Sequence, residues 1–420
     1  MNQDGYNNPR TALSTPSEKS PGPDYVDQAG QKKQDDIRTA CAEGDIPALQ
    51  QLAESEGGLL TDSLRQLAWP ILLGLPAPTV NASNEKLAES DDDDGRWKEL
   101  PHHRDEDQVQ LDVNRSFVYY PHSNYHPAQS CNARRLPASC LTLCTPDLSE
   151  SDLERRRSQL SALISEVLRT YPYLCYFQGY HDICQVFLLV LRPALAARCV
   201  ARLSVLRIRD FMLPNLGPTT SQLRLLPDIL SRADPTLRRH VATVEPFYAL
   251  AGTLTMYAHN IEAYRDIARL FDVLLAREPV FSIYLFAQIV VDRRDEILAI
   301  DEPDLLQVIL ARVPARMDLD GLVARAALLF AAHPPETLPA WRRIARASAL
   351  KTARDPRQAA RQTLRDGAAW FDTQAKELQW LDLRNSLLSV AWAYRRPAKT
   401  VAMAVAVGLV AFYPCEGEVA

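Results

Sequence analysis

The chain has 420 residues, 47% of them hydrophobic and 24% charged, which excludes wholesale disorder and is long enough to bury a core without disulfide or metal staples. That length fits two to four domains, or one large domain with tails. A formal charge of −5, from 47 basic and 52 acidic residues, leaves no whole-chain footprint for nucleic acid, and only 15 glycines argue for helices over a sandwich or barrel.

Residues 1–30 are rich in Pro, Ser, Asn, Gly and Gln and read as a disordered tail; the polar start contains no signal-peptide stretch. Between Lys32 and Glu56, the apolar residues Ile37, Cys41, Ile46, Leu49 and Leu52, punctuated by Gly44 and Pro47, predict two short helices. Residues 76–108 are broken by Pro76, Pro78 and the acidic run Asp91 to Asp94, a solvated loop. Residues 121–146 have no period and form an irregular insertion. Its His122, His126, Cys131, Cys140 and Cys144 have no spacing that closes a metal site.

Helical periodicity dominates from residue 147. Leu153, Leu160, Leu163, Ile164 and Val167 share one face of a helix over 147–170, and 179–191 is apolar nearly all round, as in a helix at a domain centre. Further helices are predicted near 195–212, 221–244, 246–256, 260–276, 279–298, 302–312 and 319–333. The fold class is all-α. Cys175 and Cys184 lie in apolar runs as small hydrophobes, which fits a reducing compartment.

The C-terminal region reverses the charge. From Trp341 to Lys399 there are 13 basic and 5 acidic residues, a net +8, after an acidic stretch over 85–107 with 10 acidic and 4 basic residues. The uncharged run 400–415 then follows Arg395, Arg396 and Lys399. It is short for a bilayer, but a cationic collar ahead of an apolar end favours a membrane anchor with its basic side in the cytosol.

The sequence contains no phosphate-binding loop, dinucleotide fingerprint, zinc-protease helix or nucleophile elbow. Two polar places remain in apolar surroundings. In Val109–Ser116, a spacing of three puts Asp112 and Arg115 on one face, which fits a surface salt bridge as well as a site. In Tyr176–Ile183, Gln178 and Gly179 stand where an amphipathic segment gives way to the buried helix, which fits a helix-capping glutamine as well as a site.

Together these segments resemble the TBC domain family, GTPase-activating proteins for Rab small GTPases. The family motifs I-x-x-D-x-x-R and Y-x-Q-G are matched by Val109-x-x-Asp112-x-x-Arg115 and Tyr176-x-Gln178-Gly179, with Val109 in place of isoleucine. An R-x-x-x-W-P signature is matched by Arg65, Trp69 and Pro70. The resemblance covers roughly residues 55–335. Segments 103–116, 173–189, 250–272 and 276–290, with the basic collar and apolar end, resemble the ER-tethered subfamily.

The resemblance implies a multi-helix Rab-GAP domain over 31–335, interrupted by the insertion 121–146, then a basic helical juxtamembrane region over 336–399 and an anchor over 400–415. It implies Arg115 as an arginine finger and Gln178 as a glutamine finger, both supplied in trans to a Rab in its GTP form. The implied chain is an activator contributing catalytic residues, not itself a GTP-binding hydrolase. No cofactor is its own, since GTP and Mg²⁺ belong to the Rab. The setting implied is the ER membrane, with the catalytic domain in the cytosol and a role in ER-to-Golgi traffic.

Supporting roles follow from the same resemblance. Asp112 would hold either the Arg115 guanidinium or its own helix in register, and Tyr176 would pack beneath Gln178. Gly179 would let the backbone approach the partner. Asp182 and His181 would touch the partner or bond internally. Arg65 and Trp69 are mainly architectural. The alternative readings are a TBC-fold effector or scaffold that binds Rab without accelerating hydrolysis, and a helical membrane-shaping protein. Both leave the pairing of Arg115 with Gln178 without a purpose.

Overall fold

A computed structural model describes residues 23–76, 95–118 and 149–412. Among these residues every regular element is helical. The acidic run Asp91 to Asp94, the insertion 121–146 and residues 413–415 of the expected anchor lie outside the described residues.

Three helices open the chain: α1 (Pro23–Glu43), α2 (Ile46–Glu54) and α3 (Asp62–Leu72). Asp45 caps α2 by accepting from Ala48 N, and Thr61 caps α3 by accepting from Leu64 N. The tail expected to stay unstructured through residue 30 is helical from Pro23, since proline is well suited to a first helical position. Then come α4 (Glu106–Val113), α5 (Glu150–Thr170), α6 (Tyr180–Val190) and α7 (Pro193–Arg202). The expected central helix is α6, whose Ile183, Cys184, Val186 and Phe187 are fully buried.

The span 221–244, expected as one helix, is instead α8 (Gly217–Leu223), α9 (Leu225–Ala233), α10 (Pro235–His240) and a short 3₁₀ turn. The residue before a proline is driven out of the helical region; Asp234 turns extended at φ −149°. Its side chain then caps α10, accepting from Thr236 N and Leu237 N at 2.9 Å each. The remaining elements are α11 (Leu250–Leu254), α12 (Tyr264–Ala276), α13 (Phe281–Asp292), α14 (Arg294–Leu298), α15 (Pro303–Ala311), α16 (Leu319–Ala332), α17 (Ala349–Thr352), α18 (Pro356–Arg361) and α19 (Leu364–Phe412).

The core is built round α6, α12 and α13. Trp69, Phe187 and Phe271 meet edge-on or tilted, with ring centroids 5.5–6.0 Å apart, joining α3, α6 and α12. Beside them Asp272, fully buried, accepts from Trp69 Nε1 at 2.9 Å, Arg65 Nε at 3.0 Å and Leu59 N at 3.0 Å. The Arg65–Trp69 signature is thus one half of a buried polar node whose other half comes some 200 residues later.

Residue 335 is not a structural boundary. Trp341, Ile344, Leu350 and Phe371 belong to the same core. Asp210, almost fully buried, accepts from Ala349 N (3.1 Å), Gln374 Nε2 (3.0 Å), Gln222 Nε2 (2.6 Å) and the Ser348 hydroxyl. Arg209, fully buried beside it, donates to the carbonyls of Leu206 and Ala347 and lies over the Trp370 ring. The region expected as a separate juxtamembrane segment therefore starts as part of the domain, because buried polar groups on 209–222 find their partners there.

Helix α19 runs 49 residues and leaves the domain along its length: Leu378 still packs on the core, whereas 379–390 is exposed. Among the described residues no helix is long and apolar enough to cross a membrane. The crossing helix expected over 400–415 is therefore not shown by its described part. Its described part, 400–412, rises only about 20 Å against a hydrocarbon core of about 30 Å, and the residues before it are basic.

Candidate functional site

A cleft of about 580 Å³ lies between the end of α4, the start of α6 and the turn after α11. Arg115, Asp112, Gln178, Gly179 and Asp182 all line it. Arg65 and Trp69 do not; they are held in the Asp272 node.

The first wall begins with α4. Glu106 in its first turn accepts from Arg169 of α5 through two bonds, Nε to Oε1 at 2.6 Å and Nη2 to Oε2 at 2.7 Å. The Arg169 guanidinium, joined by His103 N and His102, holds the Glu106 carboxyl down at about 2. One turn later Asp112 is buried and does not reach Arg115. It accepts from the Tyr176 hydroxyl at 2.9 Å and from Gln108 Nε2 at 3.2 Å, so it fixes its own helix in register. Burial and the acceptor Asp112 push the Tyr176 phenol far above its ordinary range.

Arg115 follows the helix on a tight turn, its N–H donating to Asp112 O at 3.0 Å. Phe117 then takes the left-handed conformation, φ +63°, which is uncommon for a bulky side chain. Gln185, a glutamine inside the buried α6, accepts from Phe117 N at 3.0 Å and anchors that turn. The consequence is an exposed Arg115 side chain with no bonding partner among the described residues.

The second wall is the approach to α6. Tyr176 N donates to Asp105 Oδ2 at 2.9 Å, and Cys175 N donates to Met212 O at 2.8 Å. Gln178 does not cap α6 with its side chain; it is exposed and, like Arg115, free of side-chain partners among the described residues. Gly179 is buried at φ +102°, and a Cβ there would stand 2.6 Å from Thr255 Cγ2. The protein's own turn therefore requires the glycine. Tyr176 bonds to His181 Nδ1 at 3.1 Å as well as to Asp112.

The third wall, unforeseen in the sequence, is the turn carrying Thr255 and His259. His259 Nδ1 lies 3.1 Å from Asp182 Oδ2, and that hydrogen bond raises the imidazole above its ordinary pKa. Asp182 Oδ1 lies 3.3 Å from His181 Nε2, so both residues have internal polar neighbours. A glutamine within the apolar α6 pattern was the one local signal that could have drawn attention to Gln185. His259 had no such signal. Val118 and Leu216, both exposed and apolar, complete the rim.

This arrangement presents a guanidinium and a carboxamide, both without side-chain partners among the described residues, on one cleft whose backbone is fixed from below. A guanidinium can stabilise charge developing on phosphoryl oxygens, and a carboxamide can hold a water by donating and accepting. Comparison with known proteins gives the chain its context. A family model described as the Rab-GTPase-TBC domain matches residues 142–298. The GTPase-activating protein gyp10 of Schizosaccharomyces pombe is 30% identical over 351 residues, 82% of this chain and 84% of its own length. TBC1 domain family member 20 of Bos taurus is 33% identical over 316 residues, 74% of this chain and 68% of its own. Among solved structures, the Chlamydomonas flagellar RabGAP TBC domain aligns at TM-score 0.47 and 17% identity, over 70% of this chain and 94% of that one.

Proposed function

The chain belongs to the Rab-GTPase-TBC domain family, and from that premise we propose that it is a GTPase-activating protein for a Rab small GTPase, with Arg115 and Gln178 as its two fingers. The observation that carries the reading is the pairing of these two exposed side chains, without side-chain partners among the described residues, on one cleft. GTP hydrolysis loads negative charge on the γ-phosphoryl and bridging oxygens. Arg115, inserted in trans, stabilises that charge, an effect worth about 10³–10⁵ in rate. Gln178 holds the attacking water in line through its carbonyl and amide groups. GTP and Mg²⁺ come with the Rab.

The proposed setting is the cytosolic face of the ER membrane, in ER-to-Golgi vesicle traffic, with the C-terminal end as the attaching element. Support comes from the basic residues Arg395, Arg396 and Lys399 ahead of the uncharged 400–412. The exposed apolar residues Trp380, Leu383 and Leu387 on the part of α19 beyond Leu378 point the same way.

Single-turnover GTP hydrolysis by a panel of Rabs, with and without the full chain in mild detergent, tests the activity and names the substrate. Acceleration of one or two members is the expected result. Binding to a Rab in its GTP form with hydrolysis unchanged would replace this reading by that of an effector.

A further inference from the structure

Between Thr255 and Asn260 the chain makes a turn that its side chains alone do not favour. Met256 (φ +50°) and Tyr257 (φ +65°) are consecutive left-handed residues with bulky side chains. Three bonds enforce it: Tyr257 N to Gly252 O at 2.7 Å, Tyr257 Oη to Ser282 O at 2.7 Å, and Thr255 Oγ1 to Ala251 O at 2.8 Å. The turn brings two groups against the start of α6: the Thr255 methyl on Gly179, and His259 on Asp182.

From His259 a line of polar groups runs by way of the first turn of α6 to the other wall. Asp182 joins His259 and His181; His181 Nδ1 meets the Tyr176 hydroxyl; and Tyr176 directs its one proton to Asp112, on the helix that precedes Arg115. With that proton committed, the phenol oxygen accepts from His181 Nδ1–H. Asp112, His181 and Asp182 have side chains 3%, 12% and 16% exposed, whereas that of His259 is 63% exposed. The line therefore ends in an accessible imidazole whose bond to Asp182 adds little core packing but closes the third wall onto the start of α6.

We propose that His259 is a positioning residue for Gln178: through Asp182 it locks the turn after α11 to the segment from which the glutamine projects. This rests on the two-finger reading above. Displacement of a reacting group by about 1 Å can cost about 10²-fold in rate, so loosening this one contact is expected to lower turnover without loss of partner binding.

The test is single-turnover hydrolysis with the full chain and its responsive Rab, comparing wild type, His259→Ala, His259→Asn, Gln178→Ala and the double variant of His259→Ala with Gln178→Ala. The expected result is a fall of roughly 10- to 100-fold in the maximal stimulated rate for His259→Ala, at unchanged half-saturating activator concentration. His259→Asn, which retains a donor near the Nδ1 position, is expected to recover most of it. In the Gln178→Ala background, His259→Ala is expected to add nothing, because the group it positions is gone. A full additional loss in that background, or a weakened half-saturation with an unchanged maximal rate, overturns the proposal in favour of direct contact with the partner. A thermal midpoint that drops equally in His259→Ala and His259→Asn, with rates following it, assigns the residue to stability alone and overturns it too. If wild type fails to accelerate any Rab, the two-finger reading falls first.

Discussion

Gly179 carries two constraints at once, a left-handed φ of +102° and a Thr255 methyl where its Cβ would be. Gly179→Ala should therefore cost about 1–3 kcal/mol of stability, measured as a shift in the urea midpoint at constant slope. Thr255→Ser, which removes the methyl, should return part of that loss in the same background, leaving only the backbone share. The glycine and its neighbours Tyr176 and Gln178 were legible because their signature is short and local. Asp112 was found for the same reason, and of the two roles offered for it, holding Arg115 or its own helix, its bonds to Tyr176 and Gln108 fit the second. His259 stayed hidden because its bond to Asp182 spans 77 positions, and neither neighbourhood marks it.

Among the elements, α4 carries the turn that presents Arg115 and is short at eight residues. Its register rests on the bidentate Glu106–Arg169 pair at one end and on Asp112–Tyr176 at the other. Glu106 has its carboxyl lowered in the folded state from the ordinary 4.5 to about 2. The sign follows from linkage: the contribution is complete above pH 4.5 and is lost as the pH falls from there toward 2. Glu106→Gln should thus lower the thermal midpoint at pH 7 and flatten its fall between pH 5 and pH 3, measured by circular dichroism melts. An unchanged slope would mean that the pair does not hold α4. Helix positions were legible where caps and apolar faces coincide, as in α5 with Ser149 accepting from Asp152 N. They were misread at 221–244, where apolar periodicity continues across Asp234–Pro235 and the backbone does not.

At the scale of the whole molecule, the domain extends past the limit drawn by motif and composition. The charge shift after residue 341 is real, yet Asp210 and Arg209 recruit Ser348, Ala349, Ala347 and Gln374 into the same core. Composition cannot show this, because the partners are more than 130 positions apart and carry no signature of their own. Helix α19 is the converse case: its first turns are core and its later ones, beyond about Leu378, are exposed, so the membrane role proposed for it would fall on the later part. In flotation with vesicles containing anionic lipid, the full chain should rise with the lipid, and a chain ending at Leu378 should stay at the bottom with the same thermal midpoint. Equal flotation of both would move membrane attachment elsewhere in the chain. The central claim, two uncommitted side chains acting on one transition state, is tested most directly by single-turnover hydrolysis with Arg115→Ala and Gln178→Ala. Each should lower the stimulated rate by about 10²-fold or more while Rab–GTP binding and the thermal midpoint hold. Stimulation that survives both substitutions would contradict the account.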